Sequence, residues 1–180
     1  MQLSLNVDPF VVHRLDTAVG GIMVYAKNRE AAAFLSKQIA ERSFKKQYLC
    51  VVHSVPESSS GTYTDFLFKD SRNNKSFVVK RMRKGVKEAS LNYELLKTRQ
   101  YYGNTISLLK VTLLTGRSHQ IRVQFSSRKM PLFGDGKYGG SDNCSIALFS
   151  NSIEFEGIDK KLYTFSASPD GFPWDLFEEN

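Results

Sequence analysis

His13-Arg14-Leu15-Asp16 runs through Gly20-Gly21 into Ile22-Met23-Val24-Tyr25-Ala26. A carboxylate thus follows a basic, donor-rich pair and precedes a glycine pair and a short β-prone apolar run. On residue types alone, an Asp ahead of glycines forms a turn or caps a helix. A catalytic Asp must instead be held rigidly, kept charged by a cation and aimed at a substrate. Later segments of the chain must supply those partners.

Outward from this stretch, Ile22–Ala26 is bounded by glycines and Lys27-Asn28 and predicts a buried strand. Asn28 is placed to cap a helix carrying Ala31, Phe34, Leu35, Gln38 and Ile39 at helical spacing. Glu30 falls in its first turn and Arg42 in its last, as the helix dipole favours. Lys45-Lys46 leads into a second strand, Gln47–His53, so strand, helix and strand fill the first third. Further strands are predicted over Thr62–Phe68, Ala89–Lys97 and Ile106–Leu114, the last two as a hairpin across Tyr102-Gly103-Asn104. Two short ones are predicted near Ile146–Phe149 and Leu162–Phe165. The charge run Lys80, Arg81, Arg83, Lys84 and Lys87 is either a solvated face or a nucleic-acid contact.

With 180 residues, 41% of them hydrophobic, the chain has the size of one well-buried domain, taken as 1–180. A formal net charge of +7 and a pI near 9.4 favour a polyanionic partner, because cations that neutralise phosphates release counterions. Cys50 and Cys144 follow no metal-ligand spacing, and both read as free thiols in a reducing compartment. No apolar run approaches the roughly 20 residues a membrane span needs, and Met1–Pro9 has no leader-like pattern. The expectation is a soluble, cytoplasmic chain without a membrane partner.

Thr115-Gly116-Arg117-Ser118-His119-Gln120-Ile121-Arg122-Val123-Gln124-Phe125 stands apart. Ile121 and Phe125 are spaced to press one helix face on a core, while Arg117, His119, Gln120 and Arg122 crowd donors near its start. That start resembles a helix amino terminus able to collect anions. Gly134-Asp135 and Lys137-Tyr138-Gly139-Gly140 then form a glycine-rich loop in which Asp135 reads as structural.

In this order, His13-Arg14-Leu15-Asp16, the Lys45-Lys46-Gln47-Tyr48 lead and Thr115–Arg122 with Gly134-Asp135 through Tyr138-Gly139 resemble the RluA-type pseudouridine synthases. The resemblance implies a mixed α/β (α+β) catalytic domain with a large, mainly antiparallel sheet flanked by helices and loops, its cleft holding RNA. It implies Asp16 as the catalytic carboxylate, Tyr48 as the residue against the target uracil, Arg122 as the partner of the carboxylate, and Arg14 as a contact to the RNA around the flipped nucleotide. Further RNA contacts are expected from Lys45, Lys46, Lys80, Arg81, Arg83, Lys84, Arg117, His119 and Gln120. Uridine isomerisation breaks the bond from ribose to N1 and remakes it at C5 with no electron or group exchanged, so no cofactor or metal is expected. The implied substrate is a structured ribosomal or transfer RNA. A non-catalytic RNA-binding member of the same fold is the alternative. A carboxylate glycosidase lacks a convincing second carboxylate near Asp16.

Two departures from the family pattern stand out. Val19-Gly20-Gly21 occupies the place where most members carry Thr-Ser-Gly, losing two hydroxyls and keeping the backbone freedom of glycine. Family domains also begin with a strand and a Lys-Pro motif well upstream of the aspartate, and no such segment precedes Asp16. The expectation is a domain shortened at its amino terminus, or a sheet edge covered by another element.

Overall fold

A computed structural model of the chain describes residues 8–178. The stretch 1–7, most of the segment examined for a leader pattern, lies outside the described residues, as do positions 179 and 180 of the acidic tail. The chain enters through Phe10–Val11 (β1), Gly20–Gly21 (β2) and Tyr25–Ala26 (β3), then forms the helix Arg29–Glu41 (α1). Lys45–His53 (β4), Ser60–Asp70 (β5), Lys75–Val79 (β6), Val86–Tyr101 (β7) and Asn104–Leu113 (β8) follow. After the short helix Gln120–Ser126 (α2) come Leu148–Glu156 (β9), Leu162–Ser166 (β10) and a closing 3-10 turn at Trp174–Phe177.

Eight strands make one sheet, in the spatial order β10-β9-β4-β8-β7-β5-β6 with β2 beside β9. Every pairing is antiparallel except β2 with β9. A mixed α/β fold on a large, mainly antiparallel sheet is therefore what this chain forms.

Strand alternation explains the layers. Along β4, Tyr48, Cys50 and Val52 face one way and join Leu91, Tyr93, Leu109 and Val111, while Val51 faces the other way towards Ile106, Phe133, Ala147 and Phe177. Ile121 and Phe125 press α2 on the first of these faces, as their spacing predicts. Each such side chain contributes about 1.5–3 kcal/mol by leaving water, so α2 is held in place by two anchors.

The first helix starts as predicted, with the Asn28 side chain accepting from the Ala31 N–H at 2.8 Å. Leu35 buries its apolar face against Ala26, Phe44 and Ile153. Its end differs: Arg42 lies beyond the last turn, in the left-handed region at φ 63, and its N–H donates to the Gln38 and Ile39 carbonyls.

The continuous strand predicted over Ile22–Ala26 is not formed. The Ile22 N–H donates to Ser150 O at 2.9 Å and the Val24 N–H donates to His13 Nε2 at 3.1 Å, so side-chain and sheet partners divide the run. The hairpin at Tyr102-Gly103 is as predicted, but β7 is longer and carries a bulge between Leu95 and Lys97. The strand predicted near Ile146–Phe149 begins at Leu148 and runs on to Glu156.

Candidate active site

Asp16 sits in a loop fastened on both sides. Before it, His13 takes the Val24 N–H; after it, Gly20 and Gly21 pair with Phe149 and Ser150. Leu15 and Val19 pack on the core beside Tyr48 and Ile121. Gly21 is required there, since its φ is +114 and an added Cβ would meet the Ser150 backbone at 2.4 Å. The Asp16 carbonyl accepts from the Val19 N–H at 2.9 Å and so forms a turn. The backbone of Asp16 makes the ordinary turn, and its side chain is left for other work.

The half-buried carboxylate faces Arg122, whose Nη1 donates to Asp16 Oδ2 at 3.4 Å. The tighter bonds of Arg122 go elsewhere: Nε and Nη2 donate to Asp135 Oδ2 and Oδ1 at 2.8 and 2.7 Å. Asp135 is only 1% exposed. Such a paired fork is the strong form of the ion pair and fixes the plane of the guanidinium. Burial works to lower the Arg122 pKa, but the bonds and charges of Asp135 and Asp16 outweigh it and raise it. Arg122 is therefore a permanent cation shared by two carboxylates, clamped by one and presented to the other.

Asp135 takes its place because Gly134 turns the loop at φ +74, where a Cβ would lie 2.4 Å from Ser145 O. The Asp135 carbonyl then accepts from the Tyr138 and Gly140 N–H groups. Tyr138 lays its ring under Arg122, 5.1 Å from centroid to guanidinium. Its hydroxyl lies 2.9 Å from His119 Nδ1 and accepts from the Ser76 N–H at 2.7 Å. His119 is buried, with its Nε2 3.9 Å from Asp16 Oδ2. Burial holds the His119 pKa below its ordinary value, with Arg122, Lys69 and Lys137 assisting and Asp16 opposing. The imidazole is thus neutral at neutral pH.

Tyr48 forms the floor, at the start of β4 and 7% exposed. Burial pushes its hydroxyl up to about 12, with Ser150 pulling it down and the charge of Asp16 pushing it further up, so it remains protonated. Asp16, Tyr48, Arg122, His119, Arg14 and Lys46 all line one cleft of about 650 Å³.

Other expected contacts separate. Strand alternation sends Lys45 away from the cleft to Glu154, at 2.6 Å. Its neighbour Lys46 faces in, forms no ion pair among the described residues, and has its pKa lowered by burial. Arg117 lines the cleft while its Nε donates to Glu88 O. Gln120 is 3% exposed; its Oε1 accepts from the Thr115 hydroxyl and the Arg117 N–H, and its Nε2 donates to Ser90 O. Both ends of its amide are thus used inside the fold, where it also lines the cleft.

The chain enters α2 through His119 in the left-handed region, φ 53, without a side-chain cap. Lys80, Arg81, Arg83 and Lys84 lie exposed in the loop between β6 and β7, outside the cleft lining. Among the described residues, no three His, Cys, Asp or Glu side chains gather where they could hold a metal.

Asp135, read from sequence as structural, proves to be the main partner of Arg122. Its one signal was a place in the third block of the resemblance. His13 and Arg42 also line the cleft, and no local signal marked Arg42.

A carboxylate, a clamped arginine and a tyrosine floor in a basic cleft are the features by which the sequence resembles one family, and the model for RNA pseudouridylate synthases matches residues 1–127. The chain belongs to that family. An uncharacterized RNA pseudouridine synthase of Aquifex aeolicus is 40% identical over 131 residues, 73% of this chain and 40% of its own length. A ribosomal large subunit pseudouridine synthase D of Borreliella burgdorferi is 33% identical over 170 residues, 93% of this chain and 50% of its own. A ribosomal large subunit pseudouridine synthase C of Buchnera aphidicola is 38% identical over 130 residues, 72% of this chain and 39% of its own. The chain thus spans half or less of the length of these relatives, and their names bear out the RluA type. Among solved structures, human RNA pseudouridylate synthase domain containing 1 superposes with a TM-score of 0.80 at 24% identity, covering 94% of this chain and 72% of that one. The fold is accordingly that of a pseudouridylate synthase catalytic domain. No helix among the described residues is long and apolar enough to cross a membrane.

Proposed function

We propose that this chain is a catalytic domain that isomerises uridine to pseudouridine in structured RNA, with ribosomal or transfer RNA as the substrate class. Asp16 acts as the carboxylate, Arg122 as its cation and Tyr48 as the surface against the uracil. The observation that carries the reading is the Arg122 guanidinium, held by Asp135 on two nitrogens and offering a third to Asp16 at 3.4 Å inside a cleft. A carboxylate kept beside a fixed cation can act on the sugar carbon, act on the base, or take a proton. The bond from ribose to N1 breaks, the uracil turns, a bond forms at C5, the C5 hydrogen leaves as a proton, and N1 takes up a proton.

The target base must leave its stack to enter, and a flat partner such as Tyr48 returns about 1–3 kcal/mol by stacking. Arg14 and Lys46 at the cleft wall supply charge for the phosphates on either side. Release of tritium from RNA labelled at uridine C5 tests the reading. The chain should release it, and Asp16→Asn should lower release by at least about a thousandfold while RNA affinity stays within a few-fold, because only the reacting group is removed. A chain that binds RNA in a salt-sensitive manner yet releases no tritium would instead be the non-catalytic member.

A further inference from the structure

We propose that Tyr138 sets His119 as its Nε2–H tautomer, so that His119 and Arg122 together hold Asp16 by Oδ2 and leave Oδ1 as the oxygen offered to the uridine. The inference rests on the uridine-isomerising reading for its catalytic half, and on hydrogen-bond geometry alone for its tautomer half.

The Ser76 peptide N–H can only donate, and it donates to the Tyr138 oxygen at 2.7 Å. The proton of the phenol must go elsewhere. Two acceptors lie within its reach, the Ser76 hydroxyl, which gives its own proton to Ser118 O, and His119 Nδ1 at 2.9 Å; the imidazole nitrogen is the more basic of the two and takes the proton. Nδ1 is then a bare acceptor, and a neutral imidazole with Nδ1 bare carries its proton on Nε2.

That proton faces Asp16. His119 Nε2 is 3.9 Å from Oδ2 and Arg122 Nη1 is 3.4 Å from the same atom. The hydrogen bonds and ion pairs of Asp16 side-chain oxygens among the described residues fall on Oδ2, and Oδ1 has none. Both contacts to Oδ2 are longer than the usual hydrogen bond near 2.9 Å, by about 0.5 Å for Arg122 and about 1 Å for His119, and closure by those amounts completes them. Tightening of that kind on loading is common in catalytic hydrogen bonds.

The rest of the geometry holds the ring for this task. The left-handed backbone at His119, φ 53, leaves the side chain out of any helix cap. Tyr138 meets the imidazole edge-on, at 5.7 Å and 87°. Other charged groups that act on the ring are Arg122, Lys69 and Lys137, all of which favour its neutral form, and Asp16, which opposes them. His119 and Tyr138 are thus positioning residues: one presents a neutral donor to the carboxylate, the other decides which nitrogen does so.

Long-range proton–nitrogen NMR spectra of the uniformly 15N-labelled 180-residue chain test the first half without RNA. The chain has three histidines, so His119 is assigned by its disappearance in His119→Gln. The expected pattern is Nε2–H, changing to a mixture in Tyr138→Phe, which keeps the ring beneath Arg122 and removes only the hydroxyl. An Nδ1–H ring in the unaltered chain overturns the proposal, as does an unchanged tautomer in Tyr138→Phe.

The second half is read from tritium release on in-vitro-transcribed ribosomal and transfer RNA labelled at uridine C5. His119→Ala should lower kcat on the order of 10- to 100-fold with KM within about twofold. That is less than the roughly 10²–10³ lost when a donor bonded directly to developing charge is removed. His119→Gln, which restores an N–H donor, should recover about tenfold of that loss. Equal kcat in the Ala and Gln variants overturns the donor role. No release from the unaltered chain overturns the uridine-isomerising reading and the role towards Asp16 with it, while the spectra decide the tautomer independently.

Discussion

Asp16 and Asp135 share one arginine, and their environments assign them different tasks. Asp135 is fully enclosed and takes two short bonds, whereas the Asp16 side chain keeps 30% of its exposure and takes one long one. Removing a buried partner leaves a guanidinium with no adequate counter-charge, which typically costs about 3–5 kcal/mol. Asp135→Ala should therefore lower unfolding stability by that amount in urea titrations, with the denaturant slope unchanged. Asp16→Asn, at the exposed end of the same arginine, should change stability by less than about 1 kcal/mol.

A pH dependence also belongs at this scale. Burial, with Lys46 assisting, lowers His13 from 6.5 to about 4, and its Nε2 must stay bare to take the Val24 N–H. Below pH 6.5 the unfolded chain binds a proton that the folded chain refuses, so stability is full above about 6.5 and falls as pH drops towards 4. His119, lowered for the same main reason, adds to the loss in the same direction. Thermal melts between pH 7 and pH 4 should show this slope, and His13→Gln should make it shallower.

Among the elements, β2 is one of three two-residue strands and among the most constrained. Its parallel pairing with β9 delivers the loop that carries Asp16, and Gly21 permits it by allowing the backbones within 2.4 Å of where a Cβ would stand. Gly21→Ala adds a left-handed penalty of about 1–3 kcal/mol and forces the two strands apart. It should lose activity more than a surface variant of equal stability, as measured by tritium release beside melting temperature. The sequence signal here was the glycine pair itself. The strand predicted across Ile22–Ala26 failed because a β-prone run does not say which neighbours take its N–H groups, and here a histidine side chain takes one. In α2 the i and i+4 apolar pair was legible. Its left-handed entry at His119, and the bonds of the Gln120 side chain to Thr115, Arg117 and Ser90, were not.

Across the whole molecule, which carries 25 Lys and Arg residues against 18 Asp and Glu, two groups of cations bear on RNA. Arg14, Lys46 and Arg117 line the cleft, while Lys80, Arg81, Arg83 and Lys84 stand on a separate exposed loop. If RNA extends from the cleft over that loop, replacing its four cations with alanine should flatten the dependence of log affinity on log salt by up to about 0.7 for each phosphate contact on a single strand. An unchanged slope would confine the RNA to the cleft.

Composition, residue types and short-range periodicity determined a good deal without any structure. They determined most strand positions, the start of α1 and the apolar face of α2, while the mixed fold was implied only by the resemblance that the three blocks carry. The first three depend on residues within a few positions of one another, where pleat and helix geometry leave few choices. The tertiary structure alone decided that Lys46 faces the cleft and Lys45 does not, that Asp135 clamps Arg122, and that Arg122 meets Asp16 across 106 positions of chain. Those outcomes depend on the path taken by the whole chain, and on which of two neighbouring side chains the pleat turns inward.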